Sequence, residues 1–245
     1  SYIEHEDHGE ERFDYGIFLH YDGSVWTEMG IPTPDGNPSG PDCEWQRVEG
    51  LSGSSSDDLF ALVSECCMAQ SGLLHFDGSE WSMLEGIPAL EEWGSYAQSL
   101  WLSGDDEIFI LRSRSIVRVQ DGEQVDVTNL DWGPSFTDIW GRSPNEVYIV
   151  GREGTVGHFD GSQWHRMDFP DTVNLMELVG AGDRGLYALG EGSRLFFYDG
   201  DQWTEVDDLP RESFTGDLRT IWASSESNVY VAGDNGMLLH RCGAR

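Results

Sequence analysis

The sequence predicts an all-β fold, a β-propeller of four-stranded antiparallel blades, and three observations predict it. A motif ending in Asp-Gly-x-x-Trp recurs along the chain at a mean spacing of about 44 residues, which lies within the range of four-stranded propeller repeats. Glycine makes up 30 of the 245 residues, which indicates many tight turns. No stretch keeps the 3.6-residue apolar periodicity of a helix, so we expect little helix.

Each repeat ends in a hairpin around the Asp-Gly pair, because these two residues tolerate the positive φ that tight turns require. The residues before the pair form one strand, and the tryptophan after it begins the next. The clear copies are HYDGSVW at 20–26, HFDGSEW at 75–81, HFDGSQW at 158–164 and FYDGDQW at 197–203, and the worn copies are RVQDGEQ at 118–124 and LLHRCG at 238–243.

Two further strands precede each hairpin. The upstream segment reads as a short strand, a polar turn and an alternating apolar strand. Its copies are SLWLSGDDEIFIL at 99–111, DIWGRSPNEVYIV at 138–150 and TIWASSESNVYVA at 220–232, with weaker copies at 50–62 and 178–189. Each repeat therefore supplies four strands, named here A to D from the central channel outward.

Complete blades are expected at about 47–85, 98–128, 137–168 and 175–206. Residues 217–241 supply strands A, B and C of another blade, whereas the N-terminal region supplies a C-like strand at Gly16–Tyr21 and a D-like strand at Val25–Met29. Five blades account for these strands most economically. In that arrangement Trp26–Met29 closes the ring as the fourth strand of the last blade, which removes an exposed sheet edge.

Six blades are the alternative, because Gly16–Tyr21 and Met237–Arg241 both resemble strand C of one blade. A six-bladed ring would use Tyr2–Glu6 as a degenerate B strand. In either case we expect residues 1–14 to form an N-terminal tail and residues 15–245 to form a single propeller domain.

The x-D-G-x-x-W turn resembles a shortened Asp-box, the turn between the third and fourth strands of sialidase-type and BNR-type propeller blades. The longer pattern, I-W-G-x-S-x-N-x-V-Y-x-V-G followed by G-x-x-x-H-F-D-G-x-x-W, resembles repeats of predicted exported propeller proteins of bacteria. The resemblance implies a secreted, periplasmic or cell-surface location and a structural role for the turns. Sialidases use three arginines spread over their blades, but Arg112, Arg114 and Arg118 bunch around one short turn here. No catalytic residue is therefore carried over.

The charge excludes several classes of partner. Asp and Glu number 45 against 14 cations, all of them arginine, so the formal net charge is −31. Such a surface repels nucleic acid and anionic membranes. No apolar run approaches the roughly 18 residues of a membrane helix, so we expect no membrane insertion. The absence of lysine fits either a halophilic-like adaptation to high salt or a GC-rich genome.

The four cysteines form no C-x-x-C pattern, so we expect no zinc site. Cys43 lies in a D–A connection, and Cys66 and Cys67 lie in the B–C loop of the following blade. These loops share one face of a propeller, so Cys43 is a disulfide candidate with Cys66 or Cys67. A bridge between Cys66 and Cys67 and four free thiols are the alternatives, whereas Cys242 belongs to the opposite face.

Most histidines and tryptophans occupy repeated positions, which indicates structural roles, the tryptophans packing between neighbouring blades. His5 and His8 lie outside these positions, in the acidic EHEDHGEE segment. This segment could bind a divalent cation such as Ca²⁺ weakly, but the preferred interpretation is a solvated tail. We therefore expect no metal site and no required cofactor.

The remaining aromatics are the candidate ligand contacts, because they fall on the loops of the D–A and B–C face. Arg152 and Asp131 on the same face are the expected polar contacts. The aromatic candidates are Trp93, Tyr96, Trp132, Phe136 and Phe214.

The function predicted first is a non-enzymatic, lectin-like binding module for a glycan or a protein on that face. A glycoside hydrolase or lyase with two carboxylates at the channel mouth is the first alternative. A structural subunit of a surface assembly is the second.

Overall fold

A computed structural model describes residues 18–21, 23–30, 45–65, 71–91, 96–104, 107–210 and 216–242. Five antiparallel sheets form the blades of a five-bladed β-propeller, as predicted, and little helix is present. The fold therefore confirms five blades over the alternative of six.

The blades follow one another along the chain, and each sheet runs from an inner strand A outward. The first blade is β3 (Trp45–Ser55), β4 (Asp58–Glu65), β5 (Ser71–Phe76) and β6 (Trp81–Leu84). The second is β7 (Ala97–Leu102), β8 (Glu107–Arg112), β9 (Ser115–Gln120) and β10 (Glu123–Asn129). The third is β11 (Phe136–Ser143), β12 (Glu146–Gly151), β13 (Val156–Phe159) and β14 (Trp164–Arg166). The fourth is β15 (Leu175–Ala181), β16 (Gly185–Gly190), β17 (Arg194–Tyr198) and β18 (Trp203–Glu205).

The fifth sheet has three strands among the described residues, β19 (Leu218–Ser225), β20 (Asn228–Gly233) and β21 (Met237–Cys242). The N-terminal strands β1 (Phe18–Tyr21) and β2 (Trp26–Met29) form a separate hairpin. The short helix α1 (Pro88–Glu91) follows the first blade, and single 3-10 turns occupy Arg152–Gly154 and Asp234–Gly236.

The N-terminal hairpin corrects one detail of the prediction. Within the described residues β2 pairs with β1, and the ladders do not join it to β21. The hairpin instead packs on the first blade, where the ring of Phe18 lies 4.5 Å from that of Trp81 and Met29 joins the same apolar cluster. Its contribution to the ring is thus side-chain packing, because burying Phe18 needs an apolar sheet face rather than a strand edge.

Large and small residues alternate where inner strands of consecutive blades meet. Trp101 of the second blade covers Gly141 of the third, and a Cβ atom at Gly141 would lie 2.6 Å from the indole. Trp140 covers Gly180 of the fourth blade in the same way. These contacts add the two indoles to the apolar clusters between the blades.

The prediction that repeated tryptophans pack between blades is correct for five of them and wrong for two. Trp26 and Trp222 are 68% and 54% exposed, because no neighbouring sheet among the described residues covers them. The five that pack against apolar clusters are Trp81, Trp101, Trp140, Trp164 and Trp203.

The Asp-Gly hairpins have the expected geometry. The Asp160 Oδ1 atom accepts hydrogen bonds from the backbone N–H groups of Ser162 and Gln163, at 2.8 and 2.9 Å, and from the Ser162 hydroxyl. Gly161 adopts a φ of 90°, which an L side chain rarely tolerates. The copies at Asp77 and Asp199 repeat the two backbone bonds.

Several sequence predictions lie outside the described residues. They concern the tail at 1–14, the disulfide candidates Cys43, Cys66 and Cys67, and the ligand candidates Trp93 and Phe214. In the part of the chain that is described, no group of three or more His, Cys, Asp or Glu residues is placed to hold a metal ion. No helix there is long and apolar enough to cross a membrane.

Candidate functional site

Four of the predicted ligand residues come together at one place on the D–A and B–C face. Asp131, Trp132 and Phe136 lie in or next to the loop 130–135, which connects the second blade to the third, and Arg152 lies in the B–C turn of the third blade. The prediction was made from loop position alone, and the fold gathers these residues because consecutive D–A and B–C connections are neighbours on a propeller.

The loop 130–135 is fixed by backbone hydrogen bonds at both ends. The N–H group of Leu130 donates to the carbonyl oxygen of Arg114 at 2.9 Å, which ties the loop to the B–C turn of the second blade. The N–H group of Arg152 donates to the carbonyl oxygen of Ser135 at 2.9 Å, which ties it to the third blade. The loop is therefore a rigid support for the exposed side chains around it.

The turn that carries Arg152 is held on its other side as well. The N–H group of Glu153 donates to the Asn174 side chain at 3.0 Å, and that of Gly154 donates to the carbonyl oxygen of Val173 at 2.8 Å. Glu153 has a φ of 55°, a left-handed conformation that is unfavourable for a residue with a side chain. Such strain persists only where surrounding contacts impose it, and it clusters at functional turns.

Three arginines surround this loop, and within the described residues none of them forms an ion pair. They are Arg112 and Arg114 of the second blade and Arg152 of the third. Arg114 and Arg152 are exposed. We call Arg112, Arg114, Asp131 and Arg152 the arginine loop site.

Two aromatic members of the prediction, Trp132 and Phe136, pack towards the core, and their role as ligand contacts stays a prediction. Phe136 is fully buried, and the ring of Trp132 packs edge-on against it with the ring centroids 5.3 Å apart. Trp132, which is half-buried, also covers Gly157, so both rings anchor the loop to the core. The pattern Leu-Asp-Trp-Gly predicted the loop but could not show on which side of it the ring lies.

Tyr96 is the most exposed of the predicted aromatic contacts in the described residues, at 38% exposure. Its hydroxyl donates to the Oε1 atom of Glu49 at 2.7 Å, and the Ser64 hydroxyl donates to the same oxygen. Burial and the neighbouring Glu49 carboxylate both raise the pKa of Tyr96. Tyr96 therefore belongs to the channel mouth, one blade away from the arginine loop site.

The inner strands enclose a central cavity of about 700 Å³ whose wall includes three carboxylates, Glu49, Asp138 and Glu177. Burial raises the pKa of Asp138 to about 6, against the opposing effect of its hydrogen bonds to Ser99, Leu178 and Ile139. Burial also raises the pKa of Glu177. Raised carboxyl pKa values in a cavity are typical of general acids, so this pair is what the hydrolase alternative would need.

Both carboxylates, however, have hydrogen-bond donors on each oxygen. Asp138 accepts from the Ser99 hydroxyl and the Ile139 N–H on Oδ1 and from the Leu178 N–H on Oδ2, at 2.6 to 2.9 Å. Glu177 accepts from the Thr220 hydroxyl and the Ile221 N–H of the fifth blade, both at 3.0 Å. Each carboxylate thus joins its own inner strand to its neighbours, which is a structural role.

The sequence prediction does not include Arg112 and Arg114. The signal that could have found them is their position, since two of only 14 cations occupy one B–C turn on the face already chosen for aromatic residues. Asp138 and Glu177 carry no such signal, because acidic residues are abundant throughout the chain.

The fold places this chain among the β-propeller proteins, and comparison with known proteins supports that class. No protein-family model and no curated protein matches the sequence. A structure described as YCF48 bound to D1 peptide is similar over 89% of this chain and 69% of that one, with a TM-score of 0.60 and 17% identity.

Two further solved structures are similar. YCF48 from Cyanidioschyzon merolae matches over 92% of this chain and 76% of its own, with a TM-score of 0.62 and 15% identity. Virginiamycin B lyase from Staphylococcus aureus matches over 91% of this chain and 72% of its own, with a TM-score of 0.66 and 13% identity. At these identities the likeness shows the propeller fold alone.

Proposed function

We propose that this propeller is a non-enzymatic binding module for a protein partner, and that it binds through the arginine loop site. The observation that carries the proposal is that three arginines without an ion pair to any described residue, Arg112, Arg114 and Arg152, lie around a loop fixed at both ends. Guanidinium groups recognise carboxylates with two parallel hydrogen bonds, so the partner segment would present Asp, Glu or a free carboxyl terminus.

The donors on Asp138 and Glu177 support binding over hydrolysis. A general acid or a nucleophile needs an oxygen that is free to meet the substrate. In each of these carboxylates both oxygens already accept a hydrogen bond from the protein.

The packing of Phe136 and of the half-buried Trp132 against the core supports a protein partner over a glycan. Sugar recognition on such a face would use exposed rings, and both of these rings pack against the core. The peptide bound to one of the similar propellers, YCF48, is consistent with this choice, although that likeness concerns the fold.

Selection from a displayed library of random peptides tests the proposal. Peptides that bind the wild-type protein should be enriched in clustered Asp and Glu or in a free carboxyl terminus. The double variant Arg114→Glu with Arg152→Glu should lose them. The matched double variant Arg166→Glu with Arg184→Glu changes the same charge at exposed positions elsewhere and should keep them.

Two outcomes would contradict the proposal. Equal binding of the selected peptides to both double variants would place their site elsewhere. Selective binding to one neutral glycan on an array, unchanged by Arg114→Glu with Arg152→Glu, would replace the protein partner by a sugar.

A further inference from the structure

An apolar pocket of about 280 Å³ lies between the fourth and fifth blades, outside the central cavity. It is separate from the arginine loop site, because that site lies between the second and third blades. The fourth blade contributes Tyr187, Leu195, Val206 and Leu209 to its wall, and the fifth contributes Val229 and Leu239.

The register of the strands shows what this pocket corresponds to in the other blades. In the third blade Val150 pairs with Val156, and the N–H of Met167 donates to the carbonyl oxygen of Val156. In the fourth blade Leu189 pairs with Leu195, and the N–H of Val206 donates to the carbonyl oxygen of Leu195. Leu195 and Val206 therefore occupy the places of Val156 and Met167.

A tryptophan fills the equivalent place one blade earlier. Trp203, the first residue of β18, packs with Tyr148, Val156 and Phe169 of the third blade and is only 5% exposed. Trp164, the first residue of β14, packs against the second blade in the same way. In the third and fourth blades the fourth strand thus brings a tryptophan into the space between its own sheet and the preceding one, whereas β10 of the second blade carries none.

The fifth blade lacks this tryptophan among the described residues. Its outermost described strand is β21, which pairs with β20 and with no other described strand. The edge of β21 therefore offers backbone N–H and C=O groups directly beside the pocket. An unpaired edge of this kind is where an extended peptide can add a strand.

We propose that this place binds an extended segment of a partner protein, which adds a fourth strand to the fifth blade and inserts a tryptophan into the pocket. The backbone of the segment pairs with β21, and its indole contacts Tyr187, Leu195 and Leu239 as Trp203 contacts the third blade. A tryptophan buries about 150–250 Å² in such a place, which makes it the anchor of the interaction.

Charge determines which tryptophan-bearing segments fit. The rim of the pocket carries one acidic and one basic side chain, Asp208 and Arg241, while the whole chain has a net charge of −31. The segment should therefore carry a net positive charge, which steers it to the protein. This partner segment differs from the carboxylate-bearing segment proposed for the arginine loop site.

The chain supplies a suitable probe in its own third blade. A synthetic peptide of sequence GSQWHRM, residues 161–167, carries the tryptophan, an arginine and the strand β14. Titration calorimetry should show that this peptide binds the full-length protein. The same peptide with alanine in place of tryptophan should bind roughly tenfold more weakly or not at all.

Two protein variants locate the site. Leu239→Asp places a charge in the pocket wall and should abolish binding. Leu238→Asp changes the next residue of β21, which is 66% exposed, and should leave binding unchanged. Arg114→Glu with Arg152→Glu should also leave it unchanged, which separates a failure here from a failure of the proposed function.

Three results would overturn the inference. The tryptophan and alanine peptides could bind equally, or neither could bind. Leu239→Asp and Leu238→Asp could weaken binding to the same extent, which would move the peptide away from the pocket. Light scattering could show a dimer that Leu239→Asp dissociates and the peptide does not, which would make a second copy of the chain the occupant.

Discussion

At the scale of single residues, the Asp-Gly turns show how one carboxylate organises a hairpin. The Oδ1 atom of Asp77 accepts hydrogen bonds from the Ser79 hydroxyl and from the backbone N–H groups of Ser79 and Glu80. These bonds, the Ser79 hydroxyl foremost, lower the pKa of Asp77 to about 2. The sequence was sufficient to predict this turn, because every group involved lies within four residues.

Asp77→Ala should lower the melting temperature by roughly a few degrees, because two backbone N–H groups lose their acceptor. Asp77→Asn keeps an Oδ1 acceptor and should retain most of the stability. A folded pKa near 2 lies below the ordinary value of 3.8, so the charge stabilises the fold above pH 4 and this contribution disappears as the pH falls towards 2. Thermal melts at several pH values measure both effects, and equal melting temperatures for the alanine and asparagine variants would contradict this account.

The side on which a loop residue packs could not be predicted in the same local way. Phe136 and Asp131 both belong to the connection between the second and third blades, yet one is fully buried and the other exposed. The loop between them packs on the third blade, where Trp132 covers Gly157 and Gly133 lies against Thr155. Such information is tertiary, which is why the sequence predicts the loop but not the side of it on which each ring packs.

At the scale of strands, size matching between neighbouring inner strands sets the blade interfaces. Trp140 lies over Gly180 so closely that a Cβ atom there would overlap the indole. The sequence predicted the strands and their order from apolar alternation. It did not show which glycine meets which tryptophan, because that depends on the register between two blades about 40 residues apart.

Gly180→Ala should destabilise the protein by about 1–3 kcal/mol, because the added methyl group must displace a ring held by two blades. Gly104→Ala is the matched control, since no atom lies within 4 Å of its Cβ position and its φ is not positive. Chemical denaturation of both variants measures the difference. A free energy of unfolding for Gly180→Ala equal to that of Gly104→Ala would show that the ring yields without cost.

At the scale of the whole molecule, repulsion between acidic side chains opposes the compact fold, which the packing of the blades stabilises. The net charge of −31 is spread over a single propeller, and the ion pairs that offset it locally include Arg194 with Asp171 and Glu205. The amino-acid composition is sufficient to predict this charge repulsion. The position of the N-terminal hairpin, in contrast, could not be read from composition or repeats, because β2 carries the motif of a closing strand and yet pairs with β1.

The melting temperature should rise by several degrees between about 0.05 and 0.3 M NaCl, because the Debye length falls below about 10 Å over that range and repulsion between surface carboxylates weakens. Most of the increase should be complete at about 0.3 M. A melting temperature that does not change, or that rises in proportion to salt up to several molar, would show that charge repulsion is not the dominant effect.

Trp140 and Gly141 of the third blade affect how a propeller of this kind could gain a further blade. This blade presents Gly141 to Trp101 on one side and Trp140 to Gly180 on the other, so a tandem duplicate of it would meet its parent through the same pair. A duplicate of the second blade would instead set Trp101 against Leu102, whose side chain would occupy the place that Gly141 leaves open. Duplication of the third blade could therefore enlarge the ring without a compensating substitution at this tryptophan–glycine contact.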